Sequence, residues 1–167
     1  EKIKISRDRV EYLGFFKEVT IDTPEVPTST DQVDVNLTVT EKPTGNIMLG
    51  AGYSSAEKIT ITGSVQQVNA FGSGDTIGLD INTSKYNRTI AVTHVDPYVT
   101  DDGISRSIDV YVRTSLPPIG SYGYYRIQSS GGNIRYGVPF SELDTVFFGI
   151  GLERSKIDTY TDSPYRY

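Results

Sequence analysis

Residues 76–82, Thr76-Ile77-Gly78-Leu79-Asp80-Ile81-Asn82, alternate apolar and polar positions without a break. Successive side chains of an extended strand point to opposite faces. Ile77, Leu79 and Ile81 therefore share one face, and Thr76, Gly78, Asp80 and Asn82 the other. The same period runs outward in both directions. Upstream, Ile47, Leu49, Ala51 and Tyr53 alternate with Met48, Gly50, Gly52 and Ser54, and Ile59, Ile61 and Val65 with Thr60, Thr62, Ser64 and Gln66. Downstream, Ile90 and Val92 oppose Thr89, Ala91 and Thr93, and Ile108, Val110 and Val112 oppose Asp109, Tyr111 and Arg113. Ile134, Tyr136 and Val138 oppose Asn133, Arg135 and Gly137, and Val146, Phe148, Ile150 and Leu152 oppose Thr145, Phe147, Gly149, Gly151 and Glu153. The pattern predicts seven antiparallel strands in an up-and-down meander. Each is near the roughly 9–11 residues of a tilted membrane-spanning strand.

The composition agrees with β structure. Twelve tyrosines and sixteen glycines suit strands and turns better than helices. Only 37% of the 167 residues are hydrophobic, and no run reaches the eighteen or so apolar residues of a spanning helix. Mild average hydropathy does not exclude a transmembrane barrel, whose strands alternate lipid-facing and lumen-facing residues. Cysteine is absent, which removes disulfides, thiol nucleophiles and thiolate metal sites. A formal charge of −5 argues against nucleic acid as a partner.

Alternation alone does not separate a membrane barrel from a soluble sandwich, in which two apolar faces meet. The connections add information. Asn69–Gly74, Asp96–Gly103 and Pro139–Leu143 are compact and rich in Gly, Pro, Asp and Asn. A longer connection, from Thr114 to about Ser130, counts as the third and lies on the opposite side of the sheet. Compact turns on one side and a longer loop on the other is the outer-membrane arrangement. It places the N-terminal part of the chain with the compact turns.

That part reads as helix, strand, strand. Ser6 is expected to cap a helix over Arg7–Leu13 with Val10 and Leu13 toward a core, and Gly14 to end it. Glu18-Val19-Thr20-Ile21-Asp22 alternates as a strand, Pro24–Asp31 is turn-rich, and Val33, Val35, Leu37 and Val39 share a face. Such a unit is marginal alone, so part of its domain is expected upstream. The alternative is a small α+β module with a strand over Lys2–Ile5. The domains read as 1–42, a hinge at 43–45, and 46–167.

The turns carry a resemblance. Gln67-Val68-Asn69-Ala70-Phe71-Gly72-Ser73-Gly74, Asp96-Pro97-Tyr98-Val99-Thr100-Asp101-Asp102-Gly103 and Gly137-Val138-Pro139-Phe140-Ser141-Glu142 are similar to periplasmic turns of the BamA family of outer-membrane protein assembly factors. Tyr12-Leu13-Gly14-Phe15-Phe16 followed by Val33-Asp34-Val35 resembles the second half of that family's last POTRA domain. The resemblance spans essentially the whole chain, in order.

The resemblance implies a mainly β chain: the N-terminal strands of a sixteen-strand transmembrane barrel, preceded by a partial α+β POTRA module. It implies a protein of the bacterial outer membrane, its N-terminal part periplasmic, that assembles and inserts β-barrel proteins. The implied partners are unfolded outer-membrane proteins, accessory lipoproteins and outer-membrane lipid. No cofactor, metal or enzymatic activity is implied. The first barrel strand, with Asn46, Ile47, Met48, Leu49, Gly50, Ala51, Gly52 and Tyr53, would be one side of a lateral gate where client strands pair. Its two glycines weaken the seam or only allow curvature. The turn motifs are carried by Asn69, Phe71, Gly72, Gly74, Asp96, Pro97, Tyr98, Asp102, Gly103 and Pro139, and the POTRA strand edge by Glu18, Val19, Thr20 and Ile21.

Other chemistry finds little support. His94, the single histidine, reads as a membrane-interface residue, and no GxSxG elbow accompanies the serines. Asp96, Asp101 and Asp102 lack EF-hand spacing and read as a turn cap. Gly131-Gly132 precedes a strand, not a helix, and is no phosphate loop. Asn36 and Asn87 begin glycosylation sequons of no consequence in a bacterial envelope. Tyr122, Tyr124, Tyr125 and Tyr136 are expected around the long loop, with Tyr160, Tyr165 and Tyr167 near the end, as an aromatic girdle. The competing functions are a two-partner secretion pore of the same superfamily and a soluble all-β binding module.

Overall fold

The computed structural model describes residues 2–27, 31–117, 125–141 and 144–161. The chain divides into two units, Glu1–Thr44 and Gly45–Tyr167.

In the first unit, helix α1 (Lys2–Tyr12) precedes strands β1 (Phe16–Asp22) and β2 (Asn36–Glu41). The helix starts four residues before the expected cap. Ser6 is inside it and its Oγ donates back to the Lys2 carbonyl at 3.0 Å, so it caps nothing. The alternative strand over Lys2–Ile5 is likewise replaced by helix. Gly14 ends the helical turn as expected, at φ +72° with its N–H on the Glu11 carbonyl. β1 and β2 are antiparallel, with Val19 opposite Val39 and Ile21 opposite Leu37. Val19 is buried. Val33 and Val35 lie outside β2, and Val33 forms only an isolated bridge to Glu25. The connection between β1 and β2 is therefore longer than the pattern showed, and at its ends Asp34 N–H bonds to the Pro24 carbonyl.

The second unit is one antiparallel sheet of seven strands in chain order. They are β3 (Gly45–Ser54), β4 (Lys58–Gln67), β5 (Thr76–Thr83), β6 (Asn87–Asp96), β7 (Ser105–Ser115), β8 (Tyr125–Pro139) and β9 (Thr145–Thr159). All seven expected strands are present. β8 and β9 are longer than the pattern showed, because Ser129, Ser130, Gly131 and Gly132 sit inside β8 rather than in a loop. The long connection is consequently shorter, and it is the fifth in the chain, not the third. Its odd number leaves it opposite the three motif-bearing turns. The two shortest connections, 55–57 and 84–86, share its side, so loop length does not divide the two ends of the sheet as the sequence predicted. The tyrosine grouping fails at one member. Tyr136 pairs with Arg106 and Phe148 near the compact-turn end of β8, eleven residues from Tyr125. At ~3.3 Å per residue the two are ~36 Å apart. Tyr122, Tyr124, Tyr165 and Tyr167 lie outside the described residues.

Strand register turns the alternating positions into continuous rows. One crosses the whole apolar face: Ile47, Val65, Leu79, Val92, Val110, Gly132 and Leu152. The apolar run does not keep to such rows. On β3 it extends from Ile47, in this row, upward to Tyr53, whereas on β9 it extends from Leu152, in the same row, downward to Val146. The band thus slips about six residues over six strand steps. Six residues span ~20 Å and six steps ~29 Å, so the band crosses the strand normal at roughly 35°.

The opposite face is polar and is tied across strands. Thr93 Oγ1 donates to Asp109 at 2.8 Å, and Ser129 and Ser155 hydroxyls meet at 3.0 Å. The Tyr111 hydroxyl donates to the Glu153 carboxylate. Tyr111 lies over Gly131, where an added Cβ would come within 2.6 Å of its hydroxyl.

Candidate functional site at the free edge of the sheet

Among the described strands β3 hydrogen-bonds only to β4, as β9 does only to β8, so each end of the sheet has an edge with unpaired backbone groups. The β3–β4 hairpin is in continuous register from Gly45–Gln67 to Ser54–Lys58. Its turn is fixed locally: Glu57 N–H bonds to Ser54 Oγ at 2.9 Å, and Lys58 takes φ +61°. Every residue of β3 is exposed, with Leu49 at 83% and Tyr53 at 73%. Asn46, Met48, Gly50 and Gly52 lie on the polar face, and Ile47, Leu49, Ala51 and Tyr53 on the apolar one.

The two glycines are not equivalent. A Cβ on Gly50 would sit 2.7 Å from Thr62 Oγ1, whose hydroxyl donates to the Gly50 carbonyl at 3.4 Å. A side chain at 50 would have to displace the Thr62 hydroxyl. At Gly52 nothing lies within 4 Å. The contacts of β4 therefore give no reason for glycine at 52.

The turn motifs gather at the strand ends away from the long connection. In the first, Asn69 and Phe71 adopt left-handed backbone (φ +54° and +55°), followed by Gly72 and Gly74 at φ +79° and +88°. Asn69 is suited to this: it tolerates the left-handed region and its Oδ1 accepts from Gly74 N–H at 2.8 Å. Ala70 is buried while Phe71 is fully exposed. Behind this turn Asp75 meets His94 Nε2 at 3.0 Å, a contact visible only once β5 and β6 are in register. In the second turn Asp96 accepts from Tyr98 N–H at 3.0 Å and pairs with Arg106 at 3.6 Å, the work of a turn cap. Gly103 lies where a Cβ would touch Pro139 and Tyr98 at 3.6 and 3.7 Å, so the second and third turns pack together. Asp102 and Pro97 belong to the same second turn. In the third turn Ser141 Oγ donates to Asp144 at 2.9 Å; Glu142 and Leu143 lie outside the described residues.

Glu18, Val19, Thr20 and Ile21 are in β1, paired with Thr40, Val39, Thr38 and Leu37. They form a two-stranded sheet, a smaller surface than the β3 edge. The polar-face ties Tyr111–Glu153 and Thr93–Asp109 were missed in the sequence, because the partners are 42 and 16 residues apart. Only the strand register brings them together.

A family model described as the Omp85 superfamily domain matches residues 69–167. The chain is 34% identical over 168 residues to the outer membrane protein assembly factor BamA of Neisseria meningitidis serogroup B, covering 99% of this chain and 21% of the relative. It is 28% identical to the protein of that name from Nitratidesulfovibrio vulgaris, over 93% of this chain and 19% of the relative. The chain thus spans about a fifth of the length of these relatives. Among solved structures, BamA from Haemophilus ducreyi lacking POTRA domains 1–3 superimposes with a TM-score of 0.77 at 25% identity, covering 94% of this chain and 30% of that one.

Proposed function

This chain belongs to the Omp85 superfamily, and on that premise we propose that it is part of a bacterial outer-membrane protein that assembles and inserts other β-barrels by strand pairing at a lateral gate. The sheet β3–β9 is the N-terminal part of a sixteen-strand transmembrane barrel, its apolar face toward lipid and its polar face toward the lumen. The 35° slope of the apolar band supports this, because barrel strands tilt by about 35–45° to the membrane normal. The compact turns and the POTRA-like first unit lie in the periplasm.

β9 at the other end of the sheet also has an edge with no partner among the described strands. The family resemblance, together with the two glycines that suit a weak seam, is what supports assigning the mechanism to the fully exposed edge of β3. Its N–H and C=O groups have no partner of their own in this sheet, and an incoming client strand satisfies them by β-augmentation. Sequence is almost irrelevant to backbone pairing, which suits a protein that handles many clients. The partners are unfolded outer-membrane proteins, accessory lipoproteins and outer-membrane lipid. The action is mechanical and uses no enzymatic step. The relatives compared are named assembly factors, which favours this over a secretion pore.

Gly52 gives a clean test, since a side chain there disturbs no contact with β4. In the full-length protein, Gly52→Val adds packing at the seam and is expected to slow client folding into vesicles several-fold. Unchanged client folding rates would remove the seam from the mechanism.

A further inference from the structure

The apolar face ends differently at its two edges. At the compact-turn edge the cation Arg106 is already neutralised by Asp96 at 3.6 Å. At the long-connection edge the next outward positions after the apolar run are Arg88 on β6 and Arg154 on β9, followed by Lys156 on β9. Register places them together. One row runs Arg88, Thr114, Gln128, Lys156, and the row below it Ile90, Val112, Ser130, Arg154. Arg88 and Arg154 each stand one outward position above the sloping band, hence at one level. They are about 16 Å apart along the sheet, from strand spacing and rise. Hydroxyl and amide side chains of Thr114, Ser130 and Gln128 fill the interval.

These cations lack counter-charges. Arg88 and Arg154 are exposed and have no ion-pair partner among the described residues. Lys156 shares one carboxylate, Asp158, at 2.9 Å. Higher on the same face, Arg126 has a buried Nε with no hydrogen-bond partner among the described residues, as Arg106 has at the other edge. Unlike Arg106, Arg126 has no ion-pair partner among them either. Four cations and one anion thus form a shelf on a chain whose net charge is −5. Its position directly above an apolar band fits one ligand chemistry, acyl chains below and phosphate above. Guanidinium groups bind phosphate bidentately, and the intervening hydroxyls and amides donate to its sugar or ester oxygens.

We propose that Arg88, Arg154 and Lys156 form a binding site for the phosphate-bearing headgroup of a membrane lipid, on the outer wall at the long-connection rim. The proposal rests on the membrane reading of this sheet. It adds that the leaflet on that side is held by charge rather than by apolar contact alone. Each basic side chain near a charged lipid surface contributes a modest increment that salt screens.

The test uses the full-length protein in detergent, with bis-phosphorylated lipid A and dephosphorylated lipid A as probes. Bound lipid is counted by native mass spectrometry at rising salt. The triple variant Arg88→Gln, Arg154→Gln, Lys156→Gln is expected to bind bis-phosphorylated lipid A on the order of 100-fold more weakly. Wild type should bind the dephosphorylated probe equally weakly. The charge-keeping Arg88→Lys, Arg154→Lys variant should bind between wild type and the triple variant, since it keeps the charge and loses the bidentate fork. The polar-face variant Arg113→Gln should retain all binding. Should the triple variant fail to fold, Arg154→Gln alone is expected to lose about fivefold. Binding within twofold of wild type in folded variants would overturn the site, as would equal binding of the dephosphorylated lipid. Competition by millimolar inorganic phosphate would overturn the lipid assignment in favour of a free anion. Client folding by the same protein reads the assembly function separately. Intact client folding with no lipid preference sinks this proposal alone, whereas headgroup binding without client folding sinks only the assembly function.

Discussion

Gly131→Ala should destabilise the sheet although alanine is the better strand residue. In β8 an added Cβ would lie 2.6 Å from Tyr111 Oη, 2.7 Å from Tyr111 Cζ and 2.8 Å from the Leu152 carbonyl oxygen. The tyrosine ring can swing aside, at the loss of its bond to Glu153. The Leu152 oxygen cannot, because it belongs to the backbone of β9. Replacing glycine in a strand by alanine ordinarily gains about 0.5–1 kcal/mol. Forcing an extra carbon into an occupied space costs about 1–3 kcal/mol. The second effect wins, leaving a net loss of about 1–2 kcal/mol. Gly78→Ala is the matched control on the same face, where the nearest atom to the new Cβ is Thr93 Cβ at 3.8 Å. It should be neutral or stabilising by up to about 1 kcal/mol. The assay is urea unfolding of the full-length protein in vesicles, followed by heat-modifiable gel mobility. A Gly131→Ala variant as stable as Gly78→Ala would refute the reasoning. Adding Tyr111→Ala should rescue Gly131→Ala only in part, because the Leu152 contact remains.

Asn69→Ala should cost about 1–2 kcal/mol in the same assay, losing both the Oδ1 bond to Gly74 N–H and a residue tolerant of φ +54°. Asn69→Gly, which keeps the backbone freedom, should recover about half of that. Val19→Ala removes two methyl groups from the buried position of β1 and should lower the stability of the first unit by about 1.5 kcal/mol, read by hydrogen exchange of β1 and β2 amides. Thr93→Val breaks the bond to Asp109 on the polar face and is expected to loosen β6–β7 by about 1 kcal/mol, seen as faster amide exchange in those strands.

The sheet was legible because its information is local. A period of two, as in Thr76–Asn82, survives in the sequence of each strand, and Gly, Asn and Asp mark the turns between them. What escaped was of two kinds. Ser129-Ser130-Gly131-Gly132 looks like a loop, since no apolar residue marks a face, but β7 and β9 on either side hold it extended. Ser6 looks like a helix cap, but the helix runs four residues further and Ser6 bonds back to Lys2 instead. Of the site, the β3 edge could be named from order alone, being first in the meander. The difference between Gly50 and Gly52 could not, because it depends on where Thr62 falls across the hairpin. The slope of the apolar band and the level shared by Arg88 and Arg154 likewise appear only with the register between strands.

The central claim is that client strands pair with the free edge of β3. Single cysteines at Asn46, Met48, Gly50 and Gly52 and at Ile47, Leu49, Ala51 and Tyr53 of the full-length protein, trapped with a cysteine-scanned client during folding, test it most directly. The account predicts crosslinks that advance one residue on β3 for each residue on the client, in antiparallel or parallel register, with cysteines on β5 giving none. Client crosslinks spread without register, or found on β5 as often as on β3, would contradict it.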